Sequence, residues 1–319
     1  MKHPGILFPY NNLSDPSLFT VFYVASLRRA PSEDSLDFLD PDRESMILPG
    51  EPVSIEKEEG SFAYIKAWWQ PRWNVELDSF EPYEGWVHRK LLHLLDVEAS
   101  WKLVTSHQAQ IRLQPSFDEP GLGELPMSAL YIQKSPIEES PWHALVIESQ
   151  TFYVHDKDLA DWDWLDDCPE DVIRWQWRQG AARMKGLKYV LGGLRTDHAE
   201  VSSSKVLSGV DCSAMMHLSA RRMGRIIPRD AKDQYRYLTP IEITDLHLGD
   251  LIFLGKQTPS RINHVLMQEE QGDWLESSRH YDGALLHPGR LRKIDPEESI
   301  WMCSVRKLLS TSSAKEYQE

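Results

Sequence analysis

The sequence predicts two small β-units followed by an α+β domain, and three observations carry that expectation. Up to about residue 160 the apolar runs are short, β-branched or aromatic, and punctuated by Pro, Gly, Asp and Ser, the texture of small β-barrels. One layout of strand and turn signals occurs twice within that stretch. From Pro169 the apolar residues fall at helical spacing instead. The 319 residues leave room for two or three domains, and 41% hydrophobic with 26% charged residues is the composition of a globular protein with real cores. The expected boundaries are 1–98 and 99–162 for the β-units and 163–319 for the α+β domain.

In chain order, Leu18 to Leu27 (LFTVFYVASL) is apolar but too short for a bilayer, which needs about twenty residues, and reads as one strand. The first copy of the repeated layout runs ASLRRAPS, GEPVSI, FAYIKAWW and EGWVHRKLL, from Ala25 to Leu92. The second runs AQIRLQPS, GELPMSALYI, WHALVIES and FYVHDKDL, from Ala109 to Leu159, so an internal duplication is expected. PEDVIRWQWRQGAARMKG opens with Pro169 and two acids and predicts a helix. DCSAMMHLSARRMG predicts a second, carrying Met215, Met216, Leu218 and Met223 and ended by Gly224. Strands are expected at Asp250 to Gly255, His264 to Glu270 and Asp273 to Ser278, the last two joined by a QG turn.

A net charge of −14 opposes binding to phosphate backbones, so no nucleic-acid partner is expected. Cys168, Cys212 and Cys303 are too few and too far apart for a disulfide framework or a metal knuckle, which fits a reducing compartment. The opening MKHPGILFPYNNLSDPS lacks the apolar run of a secretory signal, and a cytoplasmic monomer with no membrane partner is expected. No cofactor and no metal are expected. Asp197, His198 and Glu200 sit in the Ser-rich stretch RTDHAEVSSSKVLS, which reads as a solvated loop.

The motifs GxxxxGK[ST], GxGxxG, HExxH and GxSxG are absent, which sets aside phosphate cradles, zincins and serine elbows. What remains is Gly209-Val210-Asp211-Cys212-Ser213-Ala214 at a loop-to-helix junction, with Asn263-His264-Val265 opening a later strand. A helix N-terminus favours thiolates and offers free amide donors, while an imidazole can take a thiol proton and return it to a leaving amine. On spacing alone an inert buried thiol accounts for Cys212 better than a nucleophile does, and His264 reads equally as a core-edge histidine.

Taken in order, LKYVLGG, GVDCSA, GRIIPRDAKDQ, HLGDLIFL, INHVLM and GDWLESS, from Leu187 to Ser278, resemble the NlpC/P60 family of papain-like cell-wall peptidases. The preceding β-units resemble its bacterial SH3 modules. The resemblance implies a papain-like α+β domain behind two SH3-like barrels. It also implies a cysteine endopeptidase that cleaves the bond from γ-D-Glu to a diamino acid, meso-diaminopimelate or Lys, in peptidoglycan stem peptides with a free N-terminal L-Ala, in the recycling of wall peptides. By that resemblance Cys212 is the nucleophile, His264 the general base and Glu276 the orienting group, with His280 as the fallback. Asp211, Ser213, Arg229 and Asp230, joined by Glu44 and Tyr83 of the first β-unit, would surround the substrate's ammonium, which needs carboxylates when buried. Plainer readings stand beside these: Glu44 as a surface acid, Tyr83 as barrel packing, Arg229 and Asp230 paired with each other. Leu191, Ala214, Ala231 and Glu276 depart from the family's usual residues. Two alternatives therefore stay open, a wall-peptide binding protein with a decayed site and a Cys–His amidase or acyltransferase.

Overall fold

The computed structural model describes residues 17–134, 137, 139–197, 206–287 and 298–309. The N-terminal unit is a seven-stranded antiparallel sheet, in the order Arg43–Ile47, Ala25–Arg28, Ser79–His88, Phe62–Asn74, Val53–Glu59, Phe19–Val21 and Leu92–Leu94. Its core is Val21, Leu27, Ile47, Val53, Ile65 and Val87. The apolar run Leu18 to Leu27 forms two strands where one was expected, Phe19–Val21 and Ala25–Arg28. The first pairs with Leu92–Leu94 and the second with Arg43–Ile47 and Ser79–His88, so the chain crosses between separate parts of the sheet at Phe22 to Val24.

The long hairpin of this unit carries a bulge. Ala67 pairs with Tyr83 and Pro71 with Pro82, so Trp68, Trp69 and Gln70 fall outside the register with Ser79–His88. Such insertions bend a strand and re-aim its side chains. Here they turn Trp69 and Gln70, both fully buried, away from the ladder.

The second unit holds a five-stranded sheet, Gln150–His155, Trp142–Ile147, Leu130–Gln133, Trp101–Val104 and Leu159–Ala160, beside the pair Ala109–Ile111 and Gly123–Leu125. The repeated sequence layout thus builds unequal sheets. Gly123–Leu125 pairs with Ala109–Ile111 as Arg43–Ile47 pairs with Ala25–Arg28, but in the second unit this pair stands outside the main sheet.

The third region is α+β. Helix α1 (Glu170–Ala182) and helix α2 (Cys212–Arg221) pack with a six-stranded antiparallel sheet, ordered Thr239–Ile241, Glu298–Ser304, Leu251–Lys256, Ile262–Gln268, Trp274–Ser278 and Gly283–His287. Helix α3 (Ala231–Tyr237) precedes the first of these strands. Gly224, the expected terminator of α2, has φ +71°, and a Cβ there would strike the Trp162 carbonyl at 2.0 Å.

Every residue of α2 is buried, Arg221 and His217 included. A helix enclosed on all sides needs its polar groups matched, and its neighbours supply many of the partners, although His217 Nε2 and Arg221 Nε and Nη2 have none among the described residues. Ser128 of the second unit donates to Leu218 O at 2.8 Å, and the Arg222 guanidinium beyond the helix donates to Thr105 O at 2.7 Å. His217 meets Ile227 O at 2.9 Å, and burial with the charges of Arg221 and Arg229 pushes its pKa down to about 3, keeping the ring neutral.

The N-terminal unit makes the largest polar contribution. Asp211, the residue before α2, pairs with Arg229 at 2.7 Å, and Arg229 donates to Ser45 at 2.9 Å. Ser45 donates to Gln70, which donates to Glu51 at 2.8 Å, and Glu51 pairs with Arg221, the last residue of α2, at 2.6 Å. Arg221 also lies over the Trp69 ring at 4.8 Å, and Trp69 stacks on Trp162 at 4.7 Å. Glu51 and Arg221 are completely buried, so removing one partner strands a charge. Glu51→Leu or Arg221→Met alone should lower the unfolding free energy by about 3–5 kcal/mol. The double variant should lose less than the sum, and strict additivity in denaturant titrations would show that the pair is not coupled.

Candidate functional site

The local sequence builds the site around the start of α2. Gly209, with φ +149°, leads into it at a position where a Cβ would meet Lys188 O at 2.5 Å, so the approach strand can lie close against Lys188. Asp211 caps the helix by accepting from Ala214 N at 2.7 Å, and also accepts from Gly192 N and from Ser213 Oγ, both at 3.1 Å. Cys212 is therefore the first helical residue, at the positive end of the helix.

His264 comes from the second strand of the Leu251–Lys256/Ile262–Gln268 pair. Leu254 pairs with His264 and Gly255 with Ile262, so Asn263 is the extra residue of a bulge directly before the imidazole. His264 Nε2 hydrogen-bonds the Glu276 carboxylate, which projects from the adjacent strand Trp274–Ser278 and is 2% exposed. Ser277 on that strand donates to Val210 O at 2.7 Å, tying it to the segment that carries Cys212. Burial works against a charge on His264, yet Cys212 and Glu276 together outweigh it and push the pKa up to about 10. His280 is elsewhere: its N–H bonds Ser278 Oγ and its ring packs against Tyr281.

A cleft of about 400 Å³ opens over Cys212. Asp211, Ser213 and Asp230 line it from the α+β region, and Glu44 and Tyr83 line it from the N-terminal unit. Glu44 is thus a cleft residue, accepting from Tyr83 Oη at 3.1 Å and pairing with Arg29 at 2.6 Å. Tyr83 is 3% exposed, and burial with the charges of Asp230 and Glu44 keeps its hydroxyl protonated. Arg229 lies beneath the cleft and pairs with Asp211, not with its sequence neighbour Asp230. Burial raises the pKa of Asp230 against the pull of Arg229, and its side chain faces the cleft without capping α3.

Several cleft residues had not been singled out. Tyr189, in the LKYVLGG stretch, stands beside Cys212 and Asp211, and burial with those neighbours raises its pKa, so its hydroxyl remains a donor. Arg29, Arg72 and Lys232 also line the cleft. Leu191 lies at the cleft and is 38% exposed. Asp197, expected in a solvated loop, is 2% exposed because Arg195 grips it with two hydrogen bonds of 3.1 Å. His198 and Glu200 lie outside the described residues, and no cluster of metal-ligating side chains occurs among the described ones.

Residues 186–288 match the model of the NlpC/P60 family. The chain carries an NlpC/P60 domain. That span holds the Cys212–His264–Glu276 constellation, and peptidases of the NlpC/P60 family are cysteine peptidases, a class of hydrolase. The chain is similar to a γ-D-glutamyl-L-lysine dipeptidyl-peptidase of Bacillus subtilis, 24% identical over 239 residues that cover 74% of this chain and 72% of that one. It is 30% identical over 118 residues to the peptidoglycan endopeptidase RipB of Mycobacterium tuberculosis, covering 36% of this chain and about half, 48%, of the relative. A solved structure of an NlpC/P60 family protein from Bacillus cereus superposes with a TM-score of 0.70 at 18% identity, covering 90% of this chain and 99% of that one, and so shares its fold. Among the described residues no helix is long and apolar enough to cross a membrane.

Two measurements check this site. Because the pKa of His264 lies above its ordinary 6.5, the stability from its charge is complete below that pH and is lost as pH rises through about 10. An NMR titration should find one histidine still protonated well above pH 7, with its transition moved down in Glu276→Gln; ordinary titration of all twelve would contradict it. Iodoacetamide at neutral pH should modify Cys212, in the cleft, well before Cys303, whose pKa burial and Asp250 push up to about 12. Peptide mapping that found Cys303 modified first would remove Cys212 as the reactive thiol.

Proposed function

We propose that the protein is a cysteine endopeptidase that hydrolyses the bond from γ-D-Glu to a diamino acid, in wall-derived peptides with a free N-terminal L-Ala. The observation that carries this reading is that Glu44 and Tyr83 of the N-terminal unit line the same cleft as Asp230 and Cys212. That unit, read as a bacterial SH3 module, makes a polar, acid-bearing end to the cleft, and a substrate ammonium fits it. The name of the Bacillus subtilis relative, a γ-D-glutamyl-L-lysine dipeptidyl-peptidase, agrees with a substrate read from its N-terminus.

In this mechanism the His264 imidazole takes the Cys212 proton, and Glu276 holds the ring and stabilises its positive charge. The thiolate attacks the γ-carbonyl carbon, forming a C–S bond and a tetrahedral oxyanion. The Ala214 amide is taken by Asp211, which leaves the first amides of α2 and the Tyr189 hydroxyl to receive the oxyanion. His264 then protonates the leaving amine as the C–N bond breaks. Water, deprotonated by the same imidazole, hydrolyses the thioester and restores the thiol. A stem peptide still amide-linked to the wall has no ammonium to offer, so the reading favours freed peptides and a role in recycling inside the cell.

L-Ala-γ-D-Glu-diaminopimelate should be split into L-Ala-D-Glu and diaminopimelate, and Cys212→Ala should abolish cleavage at an unchanged unfolding temperature. N-acetylation of the L-Ala should lower kcat/KM by about a hundredfold or more, since the cleft's acids lose their cation. Mass spectrometry of timed digests decides both, and equal rates on free and acetylated peptide would place the ammonium outside the cleft.

A further inference from the structure

The proposed substrate carries a second charge besides its ammonium. Because the peptide continues through the γ-carbonyl, the α-carboxylate of its D-glutamyl residue is free, one peptide unit from the L-Ala amine. A site that reads the ammonium needs a cation beside it for this anion.

The cleft offers four cations, and three are committed. Arg29 is closed on Glu44 at 2.6 Å. Arg43 is 3% exposed and donates to the carbonyls of Leu191, Ser35 and Asp37. Arg72 lies over the Tyr83 ring at 5.0 Å, on the wall assigned to the ammonium. Lys232 is exposed and has no carboxylate within ion-pair distance among the described residues. It stands two positions after Asp230 at the start of α3, with only the Ala231 methyl between them, and both line the cleft with Cys212. Lys232 is close enough to draw down the pKa values of Asp230 and Asp233, which burial raises, so its charge is felt at this corner.

Asp230 and Lys232 therefore bring opposite charges to one corner of the cleft, the two signs that the amine and the α-carboxylate of an L-Ala-γ-D-Glu unit call for. We infer that Lys232 holds the free α-carboxylate of the γ-linked D-glutamyl residue and makes the enzyme discriminate against peptides in which that group is amidated. This rests on the peptidase reading above and adds a specificity residue to it.

The test compares kcat/KM for L-Ala-γ-D-Glu-diaminopimelate and for the same peptide with an α-carboxamide, in the unmodified protein and in Lys232→Met and Lys232→Arg. The unmodified protein should prefer the carboxylate by about fivefold, the size of a partly exposed charge pair, with the difference in KM. Lys232→Met should bring the ratio to about one, and Lys232→Arg should keep most of it. Equal kcat/KM on both peptides in the unmodified protein overturns the inference alone and leaves the peptidase reading standing. So does an equal loss on both peptides in Lys232→Met, which would set the ammonium against some other part of the substrate. Failure to cleave either peptide overturns the peptidase reading and this inference together.

Discussion

The structure depends on a buried polar chain that begins at Asp211, before α2, and ends at Arg221, its last residue. It leaves the NlpC/P60 domain through Arg229, crosses the N-terminal unit through Ser45, Gln70 and Glu51, and returns. Buried charges are costly unless each is paired, and this chain begins and ends on ion pairs. Helix α2 is thereby gripped at both ends by a unit that precedes it by more than a hundred residues. The reactive end of the helix is set by this frame, because Asp211 both receives Arg229 and caps the turn on which Cys212 sits.

Electrostatics at the cleft divide along the same seam. On the inner side the imidazole of His264 lies between a thiol and a carboxylate, and both favour its charged form against burial. On the outer side Glu44, Tyr83 and Asp230 come from different units, yet they line one cleft. Neither set is complete without the other. The N-terminal unit is thus part of the site's architecture and not a separate tether.

The parts of the molecule with local periodicity were legible in the sequence. Helices α1 and α2 follow from their spacing and their Pro and Gly signals, whereas Glu276 stood out only through the resemblance to the NlpC/P60 family. Long-range pairing left no such trace. Arg229 chooses Asp211 over adjacent Asp230, a preference set by the geometry of α2 and not by sequence distance. The bulge at Trp68 to Gln70 is hidden inside a continuous aromatic run, which reads as plain strand. The strand Glu298–Ser304, paired on both sides within its sheet, sits in a stretch with no motif attached. Composition misled at Asp197, where a Ser-rich surrounding suggested solvent and a neighbouring arginine made burial possible.

The bulge also bears on the order in which the molecule is made. It sets Trp69 and Gln70 beside Glu51 and Ser45, whose partners follow much later in the chain: Glu51 meets Arg221 across 170 positions, and Ser45 meets Arg229 across 184. Contacts of such separation form late and slow folding, because a long loop must close before they give any return. On a ribosome, the N-terminal sheet emerges with this aromatic and acidic face uncovered; the second unit can reach its tryptophans, while Glu51 and Ser45 wait for Arg221 and Arg229. Trp162 can cover Trp69 before then, but a chain released before Arg221 and Arg229 are synthesised leaves Glu51 and Ser45 without their guanidinium partners.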